Sequence, residues 1–300
     1  MFKNHKKRER SVSEKILVIG AGGFIGSNLV PYLEEKSYTV YPLKSKDVNL
    51  FEEKSVDSLL PLVDKVDTIV VLAALTPDKG KDIDTYINNI TMVKHICASL
   101  KKSENKPKVI YISSDAVYNF DTTLVSEETL AAPVDSYGSM HRAREIMFQE
   151  TVGNDKLAII RPTLVYGPGD SHNSYGPNRF RREAFNQGTI SIFGEGRDIR
   201  SHIYIKDLVA LIEEIIANDG SGILNAASDF SISYADLADL VKKLFDKEVE
   251  IKKKPGSPNP TYRKFDAQLC YSSFPGFVFT PLEEGLKETI DFMKKEGGNS

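Results

Sequence analysis

Ile16-Leu17-Val18-Ile19-Gly20-Ala21-Gly22-Gly23-Phe24-Ile25-Gly26 is the stretch on which the fold turns. Four consecutive apolar residues read as a buried strand, and a helix is expected directly after the glycines, over 27–36. Gly20 permits the tight turn out of the strand. Gly23 lets the backbone approach a ligand with no Cβ in the way, and Gly26 lets the helix pack on the strand. Glycines in this pattern have meaning only between a strand and a helix, which is the context here. The unpaired N–H groups at the helix start then form an anion site suited to a pyrophosphate. Gly20, Gly23, Phe24, Ile25 and Gly26 are therefore candidate dinucleotide contacts.

Working outward, apolar runs at 40–43, 68–74, 109–113 and 157–161 read as further strands. Helical spacing marks 59–66, 84–101 and 137–151. Strands alternating with helices predict an α/β fold, a Rossmann-type doubly wound parallel sheet covered on both faces, over residues 15–166. Beyond Tyr166 the pattern changes. Residues 167–177 are turn-rich, followed by a helix at 179–186, a strand at 190–193 and helices at 205–218 and 234–245. Residues 252–260 hold three lysines and three prolines and read as an exposed loop, and a last helix is expected at 281–295. Residues 167–300 are thus a smaller mixed α/β lobe, expected to bind substrate and to cross back to the main sheet.

Apolar residues make up 41% of the 300 and charged ones 27%, proportions ordinary for a soluble globular protein. A net charge of −3 argues against a nucleic-acid partner. No apolar run reaches the length of a membrane span. Cys97 and Cys270 form no metal or redox spacing and read as free thiols of a cytoplasmic protein. His172 and His202 lack a companion at zinc-like spacing, so no metal is expected. The first 14 residues, rich in lysine and arginine, read as a flexible, solvated basic tail.

The end of the second strand reports on the adenosine ribose, where a carboxylate would bind the 2′-hydroxyl and repel a 2′-phosphate. Here the order is Lys44-Ser45-Lys46-Asp47, with cations first. This leans the cofactor expectation from NAD(P) in general toward NADP(H). Farther on, Ser113-Ser114-Asp115 lies at the C-terminal end of a parallel strand, where such sheets carry their sites. Tyr137 and His141 stand four apart, on one face of a helix. A tyrosine poised for proton transfer beside a hydroxyl that orients a substrate oxygen is the chemistry these suggest.

Further blocks accompany these: Leu72-Ala73-Ala74, Asn89, Ala116-Val117-Tyr118, Arg161-Pro162-Thr163-Leu164-Val165-Tyr166-Gly167-Pro168, Phe193-Gly194-Glu195-Gly196-Arg197, the run from Arg200 to Asp207, and Arg263. In order and spacing the chain resembles an extended short-chain dehydrogenase/reductase of the nucleotide-sugar epimerase, dehydratase and reductase type, over roughly residues 15–295. The resemblance implies Tyr137 as the acid/base at a sugar oxygen and Ser114 as its orienting partner. Asp115 and His141 join the catalytic set. Leu72, Ala73, Ala74, Asn89, Pro162 and Thr163 would line the cofactor cleft with Lys44, Ser45, Lys46, Tyr137 and His141. Arg200 and Arg263 would grip the diphosphate of a nucleotide sugar, beside Ser114 and Asn178. A homodimer through the helices at 84–101 and 137–151 is implied as well.

One position departs from the pattern. Where the family carries Tyr-x-x-x-Lys, His141 replaces the lysine that bonds the nicotinamide ribose and lowers the tyrosine pKa. Free tyrosine titrates near ~10, and a histidine near ~6.5 carries charge over only part of the working range. Slower chemistry with a steeper pH dependence is the expectation, or a protein that binds cofactor without turnover; Arg144 is a candidate for partial substitution. Ala116 stands where a dehydratase carries the second member of an acid/base pair, so epimerase and 4-keto-sugar reductase rank equally and 4,6-dehydratase third.

Overall fold

The computed structural model describes residues 2–5, 13–173, 176–256 and 259–297. The first half runs β1 (Lys15–Ile19), α1 (Phe24–Glu35), β2 (Thr39–Leu43), α2 (Ser55–Val63), β3 (Thr68–Val71), α3 (Ile83–Lys102), β4 (Lys108–Ile112), β5 (Leu124–Val125), α4 (Ser136–Val152), β6 (Leu157–Pro162) and β7 (Leu164–Tyr166). The second half runs α5 (Gly176–Gln187), β8 (Thr189–Phe193), β9 (Ile199–Arg200), β10 (His202–Tyr204), α6 (Ile205–Ala217), β11 (Gly222–Ala226), β12 (Ile232–Ser233), α7 (Tyr234–Lys243), β13 (Glu250–Lys254), β14 (Lys264–Phe265), α8 (Gln268–Ser273) and α9 (Leu282–Lys295).

Six strands form one parallel sheet in the order β11-β6-β4-β3-β1-β2. Alternation along each strand divides the core into two layers. Ile16, Val18, Ile110 and Ile160 face α1 and α6, meeting Leu29, Leu33, Leu208 and Ile212. Leu17, Ile19, Val109, Tyr111 and Ile159 face the opposite layer, where Leu59 of α2, Val93 and Ile96 of α3 and Phe148 of α4 enclose them. Both faces are covered, so the strands read as continuous apolar runs. The sequence changes direction between β1 and β3, and the crevice at their C-terminal ends is the place where open α/β sheets bind ligands.

The return to the main sheet is made by α6, which packs beside α1, and by β11, which pairs in register with β6 from Gly222 against Ala158 to Ala226 against Pro162. Three local expectations change. Gly176 and Pro177, read as turn, open α5. Lys252 to Lys254, read as the start of an exposed loop, belong to Glu250–Lys254, which pairs in parallel with Thr189–Phe193. The ladder expected over 68–74 stops at Val71, and the next residues leave the sheet to form the site. At the chain start, Phe2 is buried against Phe274 and Lys3 bridges to Ser221 beside β11, while Lys3, Asn4 and His5 are exposed. The basic residues at 6–12 lie outside the described residues. Among the described residues no helix is long and apolar enough to cross a membrane.

Candidate active site

The glycine turn sits at the crevice between β1 and β3. Gly20 has φ +97°, and a Cβ there would fall 2.7 Å from the backbone nitrogen of Ala73. At Gly26 a Cβ would fall 2.4 Å from the Gly20 carbonyl oxygen. Both glycines are therefore required by backbone packing, whereas a Cβ at Gly23 would meet only an ordinary contact at 3.5 Å. Leu72 and Ala73 donate their N–H groups to Ile19 O at 2.9 and 3.1 Å, tying the two strand ends together. Helix α1 begins at Phe24 and Ile25 with no side-chain cap from Gly23, so its first amides face the mouth of the turn.

Lys44 lies across this mouth, its stem 3.6 Å from where a Cβ on Gly22 would stand. Asp47 is turned back to accept the Lys44 N–H at 2.8 Å, while Ser45 and Lys46 are exposed. On the far side, buried Asn89 accepts from Leu75 N at 2.8 Å and donates to Leu75 O at 3.0 Å. It clamps the segment after Ala74 and lines the small cavity beside Tyr137. Pro162 and Thr163 are buried at the end of β6, and the Thr163 hydroxyl has no hydrogen-bond partner among the described residues.

Helix α4 carries the tyrosine to the turn that carries the serine. Asp135 caps the helix by accepting from Gly138 N at 2.7 Å, worth about 1 kcal/mol. Gly138, next to Tyr137, packs so closely that a Cβ would fall 2.1 Å from the Ala116 carbonyl oxygen. Ser114 stands two residues earlier, its hydroxyl accepting the Ala116 N–H at 3.1 Å and donating a long contact to the Asp115 carboxylate at 3.5 Å. Tyr137 is half-buried beside the segment containing Leu75, Tyr86 and Asn89, where these residues line a small cavity of about 30 Å³.

His141 departs from the expectation of a charge that comes and goes near neutrality. It is buried; its ring meets Tyr137 edge-on at 4.7 Å, and its Nδ1 lies 2.6 Å from the Tyr111 hydroxyl. Burial, then the neighbouring Arg144, hold its pKa well below the ordinary value, so it is neutral at physiological pH. The fixed cation of this face is Arg144, fully buried, bonded to Ala73 O at 2.5 Å and lying 5.1 Å over the Tyr111 ring.

Behind the tyrosine is a buried ion pair that sequence reasoning missed. Glu145 and Arg161 form a two-pronged contact, Nε to Oε1 at 2.9 Å and a terminal nitrogen to Oε2 at 2.7 Å. Ser113 donates to the same carboxylate at 2.7 Å and Arg142 at 3.0 Å, and Arg161 also donates to the Tyr118 hydroxyl at 2.8 Å. The helical repeat offered a signal: 137, 141, 144 and 145 fall on one face. Strand alternation offered another, since Tyr111 and Ser113 point to the same side of β4.

The two arginines expected at the diphosphate meet on neighbouring segments, with Arg263 N donating to Ile199 O at 3.1 Å. Arg263 is buried, lies 4.8 Å over the Phe120 ring and donates to the Asp115 carbonyl oxygen. Its remaining terminal nitrogen has no partner among the described residues. The Asp115 carboxylate is 3.6 Å from Arg263 Nε; burial pushes its pKa upward against the pull of Arg263 and Arg200. Arg200 is largely engaged, bonding Ile199 O at 2.8 Å, Thr261 O at 3.0 Å and the Thr261 hydroxyl at 2.5 Å. Asn178 donates to Asp170 and, at 3.5 Å, faces Arg181, bracing the base of the following loop. From that loop His172 bridges Asp170 at 2.8 Å and Asp78 at 3.2 Å, linking the second lobe to the segment after β3. Ser174 and Tyr175 of the turn-rich segment 167–177 lie outside the described residues.

A profile of the NAD-dependent epimerase/dehydratase family matches residues 16–227. The chain belongs to this family. Among relatives, a dTDP-D-glucose 4,6-dehydratase of Dictyostelium discoideum is 26% identical over 264 residues, covering 75% of this chain and 61% of that protein. An N-acetyl-alpha-D-glucosaminyl-diphospho-ditrans,octacis-undecaprenol 4-epimerase of Escherichia coli O157:H7 is 26% identical over 225 residues, covering 70% and 66%. The chain thus matches just under two thirds of the length of these two relatives. Among solved structures, UDP-glucuronic acid 4-epimerase from Bacillus cereus, in complex with UDP-glucuronic acid and NAD, superposes with a TM-score of 0.78. Identity there is 23%, over 94% of this chain and 99% of that one, which establishes the shared fold.

Proposed function

We propose that the protein is an NAD(P)-dependent enzyme acting on a nucleotide-diphosphate sugar, as an epimerase or a 4-keto-sugar reductase. The observation that carries this reading is the docking of the Tyr137 turn of α4 onto the Ser114–Ala116 turn, at the end of the sheet that bears the glycine cradle. The cradle fits a dinucleotide: Gly20 and Gly26 let strand, turn and helix pack backbone to backbone, the Gly23 position has no close neighbour among the described residues beyond the Gly20 carbonyl oxygen at 3.5 Å, and the unpartnered Thr163 hydroxyl lies at the end of the same sheet. Gly20 to Gly26 would hold the pyrophosphate, Lys44 the adenosine ribose end, and Ala73, Ala74, Pro162 and Thr163 the nicotinamide end. When bound, the nicotinamide supplies the hydride acceptor or donor.

Tyr137 then exchanges a proton at the reacting sugar oxygen, and Ser114, whose hydroxyl proton is held only by a long 3.5 Å contact to Asp115, orients that oxygen. Arg263 offers its unpartnered donor to the substrate diphosphate, with Arg200 beside it. Dehydration would need an acid and a base adjacent to Ser114, and Ala116 supplies neither. A second reading is favoured by the neutral, buried His141: a protein that binds cofactor and sugar without turnover. A panel of UDP-, dTDP- and GDP-sugars, assayed by nicotinamide absorbance and product chromatography, separates the two. Interconversion or cofactor turnover supports the enzyme; tight cofactor binding with no turnover across the panel supports the binder.

Lys44 is the proposed reader of a 2′-phosphate. Lys44→Asp is expected to weaken NADP(H) binding at least about tenfold more than NAD(H) binding, since a charge-assisted contact becomes a repulsion. Titration calorimetry with both dinucleotides checks this, and equal losses would remove Lys44 from that role. We also propose a cytoplasmic homodimer through α3 and α4, whose Ile83, Ile87 and Ile146 are exposed. Light scattering giving the mass of one chain opposes it.

A further inference from the structure

The imidazole of His141 has one partnered nitrogen and one without a partner. Nδ1 lies 2.6 Å from the Tyr111 hydroxyl, and Nε2, although buried, has no hydrogen-bond partner among the described residues. Tyr111 reaches it from β4, Tyr137 lies edge-on one helical turn before it, and Arg144 lies beyond Tyr111. In a contact between a neutral phenol and a neutral imidazole the phenol is the stronger acid and the ring nitrogen the stronger base, so the hydroxyl donates to Nδ1. Burial pushes the Tyr111 phenol pKa further up, which keeps that proton in place. A neutral imidazole carries a single N–H, and with Nδ1 accepting, that N–H is on Nε2. A buried donor without an acceptor costs on the order of 1–3 kcal/mol. The site therefore holds a buried donor with no acceptor among the described residues.

We propose that Tyr111 is a positioning residue that fixes His141 as its neutral Nε2–H tautomer, making Nε2–H a single directed donor to a ribose hydroxyl oxygen of the bound dinucleotide. This rests on the dinucleotide reading of the cleft. A lysine at this place would bring three rotatable donors and a charge. The histidine brings one donor, whose direction depends on a residue of another element.

The test uses the whole protein labelled with ¹⁵N-histidine. The chain has five histidines, so the two-bond proton–nitrogen correlations can be assigned one by one, with His141→Gln identifying the signal in question. The expected result for ligand-free protein is an Nε2–H imidazole that shows no imidazolium between about pH 5 and 8. Adding the dinucleotide moves the Nε2 proton downfield. Tyr111→Phe keeps the ring that packs on Phe148, and is expected to populate the Nδ1–H tautomer and raise the dinucleotide Kd about fivefold or more. In a His141→Lys background the same Tyr111→Phe change is expected to alter Kd less than about twofold, because an ammonium has no tautomer to fix. An Nδ1–H or imidazolium signal in the native protein overturns the proposal. So does an unchanged Kd in Tyr111→Phe, or an equal loss in the lysine background. Failure of the native protein to bind either dinucleotide overturns the cofactor reading and the donor role together, and is told apart because the ligand-free tautomer is read first.

Discussion

Tyr137→Phe is expected to lower turnover on the order of 10³-fold or more while leaving dinucleotide affinity within about twofold of the native value. The phenol oxygen is the group proposed to carry the proton, and its loss removes an interaction made in the transition state. The ring itself remains, still edge-on to His141 and still beside the Leu75 and Asn89 segment, so the cleft keeps its shape. Steady-state kinetics on whichever sugar nucleotide proves active, with a parallel cofactor titration, checks both halves. Retained turnover would refute the assigned role. A large loss of cofactor affinity would mean that the phenol serves the dinucleotide more than the sugar.

The second large effect concerns stability. Arg161→Met is expected to cost about 3–5 kcal/mol, because it strands the fully buried Glu145 carboxylate among groups that cannot replace two parallel N–H donors. In the native protein burial works against the Arg161 charge, yet the hydrogen bonds and charge of Glu145 outweigh it and hold the guanidinium pKa above its ordinary value. For a chain of this length the loss corresponds to a fall in melting temperature of about 5–8 °C. Removing both charges, as Arg161→Met with Glu145→Leu, is expected to recover a substantial part of it, because no unpaired charge remains buried. Calorimetry on the single and double variants decides the matter. A single variant within about 1 kcal/mol of native would show that Arg142 and Ser113 suffice to hold the carboxylate.

Most of the sheet could be read from the sequence because its strands are covered on both faces and are therefore uniformly apolar. Ile16 to Ile19, Ile69 to Val71 and Val109 to Ile112 are of this kind. The strand at Gly222–Ala226 was harder, since Gly222 and Asn225 are residues that strands disfavour; docking along β6 decides its state. Glu250–Lys254 shows no apolar alternation at all and is extended because its backbone completes the edge of β8. At the site, motif spacing pointed to the cradle, Ser114 and Tyr137, whose positions are set by local turns. Partners chosen by tertiary contact were not legible. Glu145 and Arg161 meet from a helix and a strand, His172 and Asp78 from two different lobes, and the state of His141 depends on Tyr111 of a strand distant in sequence. The isolated pKa of histidine suggested a titrating charge; enclosure reverses that reading.

The fit of Gly138 against the Ala116 carbonyl has a consequence for motion. With no side chain between the two backbones, the start of α4 and the Ser114 turn are pressed together, so the backbones that carry the phenol and the hydroxyl are held as one block. On the proposed function, room for a sugar nucleotide would come from the other wall, where the lobes touch through the His172–Asp78 contact. The backbone under the proposed reacting pair then acts as a fixed anvil, and access would be governed by the part of the molecule proposed to perform no chemistry.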